Sequence, residues 1–323
     1  MQKIGIVGVG NFGKFHVEEL LKIPEFELVG FYDINPHTSE LVSKKFNITA
    51  FNSFAELLNE VEVIDVAVPT SLHYVIAVEA IKKQKHVFIE KPVTITVEDA
   101  ENLVKLAEEA SIKVQVGHIE RFNSAFLAAL PYINNPYYIE IQRLQKFINH
   151  NTDTSVVLNL MLHDIDIVLS VNNSNIKKIN AFGIKNINQT SDFANARIEF
   201  DNGCVANITS NRVSPIELIT YNFFQKNVCI SIDLLNKRTE IINYNPIAIG
   251  SKSDKQPINT KFIKDLSIKD CKIIDEHSLK KEFLAFYNCI ANNSKPTVTL
   301  DDGFKALKVA NEIIDKIKVS ADF

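Results

Sequence analysis

The chain has no tryptophan, two methionines, ten glycines and four cysteines in 323 residues. Neither charge dominates: 35 Lys and Arg stand against 39 Asp and Glu, a formal net charge of -4. That balance gives no footing for nucleic acid or an anionic membrane surface. No apolar run approaches the length of a membrane span. Cys204, Cys229, Cys271 and Cys289 are far apart, with no CxxC and no Cys/His cluster. They read as reduced structural residues, so neither a disulfide framework nor a metal site is expected. The first strand begins at Lys3. No secretory leader or transit peptide is therefore expected, and the expected location is the cytoplasm. Plentiful Ile, Asn and Lys without Trp fit an AT-rich genome. The length is enough for two domains with separate cores.

Few as they are, the glycines are placed to effect. The apolar run Lys3-Ile-Gly-Ile-Val leads into Gly8-Val-Gly10-Asn11-Phe12-Gly13. Glu27-Leu-Val-Gly-Phe-Tyr-Asp33 follows and ends on an acid. Strand, glycine turn, helix and acid-tipped strand in this order form a dinucleotide-binding fingerprint. Gly8 allows the tight turn, Gly10 lets the backbone approach a pyrophosphate, and Gly13 lets the helix pack on the strand. The helix N-terminus then faces the phosphates. Asp33 is placed to accept from both ribose hydroxyls of the adenosine. It also favours NAD over NADP, because a 2′-phosphate beside an unpaired carboxylate meets several kcal/mol of repulsion. Ile34 to Ser39 offer no Arg or Lys to offset that charge.

Strand and helix patterns alternate to about residue 117. Asn35-Pro36 opens one helix and Ser53-Phe-Ala-Glu56 is a capping box for the next. Val63 to Val68 and His86 to Ile89 read as buried parallel strands, and Lys113 to Val116 as another after a helix from Thr96 to about Ala110. This rhythm specifies a doubly wound parallel sheet, an α/β Rossmann domain over residues 1–118. Beyond it the period changes to two, at Tyr138 to Leu144, Ala194 to Phe200, Cys204 to Thr209, Leu218 to Phe224 and Val228 to Leu234. Asp201-Asn-Gly203 is a hairpin turn. Residues 119–323 are thus expected to form an α+β domain with a large, mostly antiparallel open sheet. Helices over Ser278 to Ala291 and Asp302 to Ile317 close the chain, with room to pack back on the first domain. Residues 249–260 read as an exposed loop.

Ligands of open α/β sheets bind beyond the carboxyl ends of the strands. Pro69-Thr70-Ser-Leu-His73 and Glu90-Lys91-Pro92 both follow strands there. Lys91, pinned between a strand end and a proline, is placed to hydrogen-bond a substrate hydroxyl and favour its alkoxide character. The competing reading is a solvated surface lysine. The helix Val156 to Leu169 is apolar nearly all round, yet Asn159, His163, Asp166 and Ser170 fall on one narrow α-helical stripe. His163 is the candidate general base for an alcohol, since histidine ordinarily titrates near neutral pH. The competing reading is a core histidine bonded to Asp166 or to backbone. At the expected domain junction, His118, Glu120, Arg121 and Asn123 read equally as substrate contacts or, for Glu120 and Arg121, as an interdomain ion pair.

Together these features resemble the Gfo/Idh/MocA family of dehydrogenases, over the whole chain. The resemblance rests on Gly8 to Gly13 with His16, Pro69 to His73, Glu90-Lys91-Pro92, the helix bearing His163, and Asp302-Gly-Phe-Lys-Ala-Leu. It implies NAD(P)-linked oxidation of sugars or polyols, an open sheet that mediates a homodimer or homotetramer, and Lys91 with His163 as the catalytic pair. The implied cofactor contacts are Gly8, Gly10, Asn11, Phe12, Gly13, Asp33, Pro69, Thr70, His73, Glu90 and Lys91. Substrate contacts are expected of Asn159, Asp164, Arg121 and Asn123. Val116 to Asn123 and Leu160 to Asp166 are most similar to the group that oxidises the 3-hydroxyl of UDP-N-acetylglucosamine, a step toward the 3-amino sugar of lipid A. One departure stands out: the family usually has Asp four residues before the histidine, and this chain has Asn159. An amide can bond a hydroxyl but neither takes a proton nor supports an imidazolium by charge. The alternative function is a non-enzymatic, NAD-responsive regulatory protein, as the family includes a yeast galactose-pathway repressor.

Overall fold

The computed structural model describes residues 1–147, 154–246 and 263–320. The loop expected at 249–260 lies outside the described residues. The chain divides into two compact units, one of Met1–Phe122 with Glu276–Asn311 and one of Asn123–Asp275 with Glu312–Phe323.

In the first unit, strands β1 (Gln2–Val7), β2 (Phe26–Tyr32), β3 (Thr49–Ala50), β4 (Val63–Val66), β5 (His86–Glu90) and β6 (Val114–Gly117) form one sheet. It is parallel throughout, in the order β3-β2-β1-β4-β5-β6. Between them run α1 (Asn11–Leu20), α2 (Pro36–Phe46), α3 (Phe54–Glu60), α4 (Thr70–Lys82) and α5 (Val97–Glu109). The starts of three helices follow from local chemistry: Asn35, Ser53 and Thr96 each accept backbone N–H groups of the first turn. The core joins Ile4, Ile6 and Phe31 of the sheet to Val17 and Leu20 of α1 and to Leu279, Phe283 and Phe286. The last three lie far along the chain, on a helix from Ser278 to Ala291. Fully burying each of these phenylalanines is worth about 1.5–3 kcal/mol, so that helix is part of the unit's core. The N–H of Val116 also donates to the Val298 carbonyl at 3.1 Å.

The second unit contains α6 (Ser124–Ala129), β7 (Tyr138–Lys146), α7 (Leu162–Val171), β8 (Ile176–Ile184), β9 (Phe193–Phe200), β10 (Val205–Ser214), β11 (Leu218–Gln225), β12 (Val228–Asp233), β13 (Arg238–Pro246) and β14 (Ile263–Asp270). The strands form one sheet in the order β14-β13-β12-β11-β7-β10-β9-β8. Only the β7–β10 pair is parallel among those described. Register makes the two faces unlike. Ile198, Ala206, Ile139, Phe223, Ile230 and Ile241 form one buried row across six strands. The neighbouring row on the other face reads Arg197, Asn207, Glu140, Asn222, Ser231 and Glu240. Alternation of period two thus gives one apolar and one polar face. The helix Ser278–Ala291 is α8, and α9 (Leu300–Ser320) follows it.

Candidate active site

Parallel register brings the chain's marked residues to one edge of the first sheet. Val7 pairs with Tyr32 and Val66, Val66 with Ile89, and Ile89 with Val116. The residues just beyond these ends are therefore neighbours: Gly8, Asp33, the Pro69 segment, Glu90-Lys91 and His118.

The glycine turn has the shape of a phosphate cradle. Gly8 has φ +89°. A Cβ on Gly13 would fall 2.0 Å from the Gly8 carbonyl oxygen, so the helix packs here only without a side chain. A Cβ on Gly10 would meet nothing within 4 Å, so packing within the protein does not explain that glycine. No side chain caps α1, which leaves its first N–H groups to a ligand. Asn11 and Phe12 are exposed on this turn. Asp33 is half-buried, one carboxylate oxygen accepting from the Val9 N–H and the other from the Asn35 N–H, both at 2.8 Å. Each oxygen keeps a second lone pair for a ribose hydroxyl. The residues present fit a dinucleotide.

The Pro69 segment is put to a different use from direct cofactor contact at one position. Pro69 is exposed and Thr70 half-buried, but His73 is fully buried. Its ring nitrogens lie 2.8 Å from the Pro92 carbonyl and 2.9 Å from that of Val68. Burial holds its pKa below the ordinary value, so the ring is neutral and donates one N–H to one of the two carbonyls. His73 pins the segment after β4 to the one that carries Lys91. Lys91 itself is half-buried, and its peptide bond to Pro92 is cis.

A group that sequence reasoning left out of the site lies beneath this edge. His16 of α1 is buried, with Nδ1 2.8 Å from Asp65 Oδ2 and Nε2 3.3 Å from Glu90 Oε1. Burial alone lowers an imidazole's pKa, but the two carboxylates outweigh it and hold His16 well above its ordinary value. Burial holds the Asp65 carboxyl above its usual range. Glu90 is held below despite burial, by His16, the Lys91 ammonium and the Lys91 N–H. The signal was present in the sequence: Asp65 is the one charged residue of β4, a strand buried from end to end. Arg121 sits on a short 3-10 turn with its guanidinium 3.8 Å from Asp302.

In the second unit, His163 is half-buried on α7 and Asn159 half-buried just before it. The expected stripe does not survive folding. Val157–Met161 forms a π-helical turn, so α spacing fails at Asn159. Asp166 is 1% exposed, and the Ser170 hydroxyl donates to the Ile167 carbonyl. Asp164, expected as a substrate contact, is fully buried. Its carboxylate accepts from Arg143 Nε at 3.0 Å and Nη2 at 2.8 Å and from the Tyr221 hydroxyl at 2.8 Å. Those partners lie on β7 and β11, so the pair ties α7 to the sheet and fixes its rotation. Nothing near Arg143 or Tyr221 in sequence pointed to them. Asn123 caps α6, its side-chain oxygen accepting from the Ala125 N–H at 3.0 Å. Among the described residues no group of three or more metal-ligating side chains occurs, and no helix is long and apolar enough to cross a membrane.

Known proteins combine the same two units. Residues 2–118 match the profile of an oxidoreductase family with an NAD-binding Rossmann fold, and residues 110–226 match the GFO/IDH/MocA C-terminal domain. The chain is 31% identical over 244 residues to UDP-N-acetylglucosamine 3-dehydrogenase of Acidithiobacillus ferrooxidans, covering 74% of this chain and 76% of that protein. It is 37% identical over 134 residues to glucose-6-phosphate 3-dehydrogenase of Bacillus subtilis, covering 42% of this chain and 36% of that one. The solved structure of the Acidithiobacillus enzyme superposes with a TM-score of 0.89 at 26% identity, over 98% of both chains. A nicotinamide-binding Rossmann unit, a large open-sheet unit and these likenesses together make the chain a member of the Gfo/Idh/MocA family, an oxidoreductase acting on CH–OH groups.

Proposed function

We propose that the chain is an NAD-dependent dehydrogenase that oxidises a secondary hydroxyl of a sugar, the 3-hydroxyl of UDP-N-acetylglucosamine. The observation that carries the reading is the 31%-identical relative named for that reaction. The 37% match to an enzyme named as a 3-dehydrogenase of glucose-6-phosphate supports the same carbon. Asp33 supports NAD over NADP, since neither of its carboxylate oxygens is paired with a cation among the contacts described.

When bound, the nicotinamide supplies the hydride acceptor. Gly8, Gly10 and Gly13 give the phosphates a backbone seat, and Asp33 takes the ribose. Lys91 donates to the reacting hydroxyl oxygen and favours its alkoxide character. His163 accepts the hydroxyl proton. Asn159 and Arg121 bind the sugar by hydrogen bonds, while Asp164 and Asn123 act through the elements they anchor. The open sheet of the second unit mediates a homodimer or homotetramer.

Steady-state NADH formation with a panel of nucleotide sugars and sugar phosphates tests the reading. Lys91→Ala and His163→Ala are each expected to lower turnover by about 10²- to 10⁴-fold while NADH affinity stays within about threefold. Binding of NADH without turnover of any sugar would favour the regulatory alternative that Asn159 keeps open.

A further inference from the structure

Glu90 sits in a seat built by three elements. On one side is the His16 imidazole, 3.3 Å from Oε1. On the other is the bare backbone of Gly117, where an added Cβ would fall 2.8 Å from Oε1 and 3.1 Å from Oε2. Glu90 and Gly117 are paired in register on β5 and β6, which brings the carboxylate over that glycine. The third wall is the Lys91 backbone, whose N–H donates to Glu90 Oε2 at 3.1 Å. A glycine is needed at 117 because any side chain would displace the carboxylate.

His16 is fixed in its turn. Asp65 on β4 holds Nδ1, and Phe88 of β5 and Phe283 of α8 meet the ring edge-on with centroids 5.9 and 5.4 Å away. The charged and titratable groups around the imidazole are therefore Asp65 and Glu90, and α8 presents an apolar ring. Beyond Glu90 stand Lys91 and, further off, His73.

We propose that His16 is a positioning residue of the reaction: as an imidazolium linking Asp65 to Glu90, it seats Glu90 over Gly117 and so fixes the backbone from which Lys91 projects. This rests on the assignment of Lys91 to the reacting oxygen. When the imidazolium loses its proton, one N–H must be withdrawn from a carboxylate. Half-buried Glu90 then keeps only the Lys91 ammonium as counter-charge, and its grip on the Lys91 N–H weakens.

The first measurements need no sugar. In NMR titrations of protein labelled at its eight histidines, His16 is expected to stay protonated through neutrality. A His16 that titrates near its ordinary value of about 6.5 overturns the proposal. The protection factor of the Lys91 peptide N–H, its intrinsic base-catalysed exchange rate at each pH divided by the rate read by mass spectrometry, is expected to fall by about tenfold or more once pH passes the His16 midpoint. A protection factor unchanged across that midpoint also overturns it. With UDP-N-acetylglucosamine as substrate, turnover should fall on the alkaline side with the same midpoint. His16→Gln keeps one amide donor and is expected to lose that limb and about tenfold of the plateau, with NADH affinity within about threefold. Gly117→Ala should lower the plateau similarly while His16 still titrates as in the wild type. If His16→Gln folds and retains both limb and plateau, the role is wrong. If neither variant folds, the wild-type titration and exchange still decide. If the wild type oxidises no sugar, the substrate reading fails, while the seat is judged on the two sugar-free measurements.

Discussion

At Asp33 one carboxylate serves two ends. It holds the N–H groups of Val9 and Asn35, which shape the turn, and it keeps lone pairs for ribose. Asp33→Ala is expected to weaken NAD binding and relax discrimination against NADP. It should also lower the melting temperature, because losing the acceptor of two backbone donors costs about 1–3 kcal/mol each where they are buried. An unchanged NAD/NADP ratio of kcat/KM would show that the carboxylate is not at the ribose. Asn159 poses the opposite question. Asn159→Asp restores the family's usual residue at nearly constant volume, and turnover is expected to rise as a nearby carboxylate supports a protonated His163. The competing outcome is a slower variant, from a charge placed in a half-buried position. Turnover across pH with a thermal melt separates the two. A slower variant with an unchanged melt would make Asn159 a specific sugar contact.

The α1 helix shows how an element turns a motif into a site. Gly10 and Gly13 belong to one fingerprint, yet the structure gives them unlike surroundings. Gly13→Ala drives a Cβ to within 2.0 Å of backbone, so α1 must shift off the sheet. Both the melting temperature and NADH affinity should fall. Gly10→Ala meets no protein atom within 4 Å, so the melt should stay close to wild type while NADH affinity drops by at least about tenfold. Fluorescence titration with NADH alongside melts reads both. If Gly10→Ala binds NADH normally, the pyrophosphate does not lie on this turn. At the same scale, the π turn at Val157–Met161 shows where pattern reading breaks down. An α-helical wheel assumes one spacing, and a π turn adds a residue without leaving a mark in composition.

At the scale of the whole molecule the second sheet carries the oligomerisation proposal. The rows of its second face are largely polar and mostly half-buried: Asn195, Thr209, Gln142, Thr220, Asp233 and Arg238 continue across six strands beside the row ending at Glu240. Phe182 and Phe224 stand among them, 52% and 36% exposed. An interface formed on such a face is polar and charge-paired, and salt screens it more than an apolar one. Light scattering after size exclusion is expected to give a dimer or tetramer whose dissociation constant rises with ionic strength. A monomer at all salt concentrations would remove the sheet from that role.

Alternating strand and helix patterns, the glycine turn and the acid at Asp33 were legible because each depends on neighbours within a few residues: a turn needs its φ, a helix start its cap, a parallel strand its apolar run. Period two likewise marked five strands between Tyr138 and Leu234 but passed over β8 (Ile176–Ile184), and register then sorted their faces. Other features depended on residues far apart in sequence. Asp65 passed unremarked within an apolar strand, and its partner His16 lies 49 residues away in the chain, at 2.8 Å. Asp164 looked like a sugar ligand until Arg143 and Tyr221, 21 and 57 residues away, claimed its carboxylate. His73 read as a cofactor contact and is a pin between two carbonyls. Sequence alone determined most of the elements, though not the strands β3, β8, β13 and β14, and which residues carry ionisable chemistry. Tertiary structure decided which of those groups are spent on one another, because a buried charge must find its partner wherever the fold brings one, and chain separation sets no limit on that.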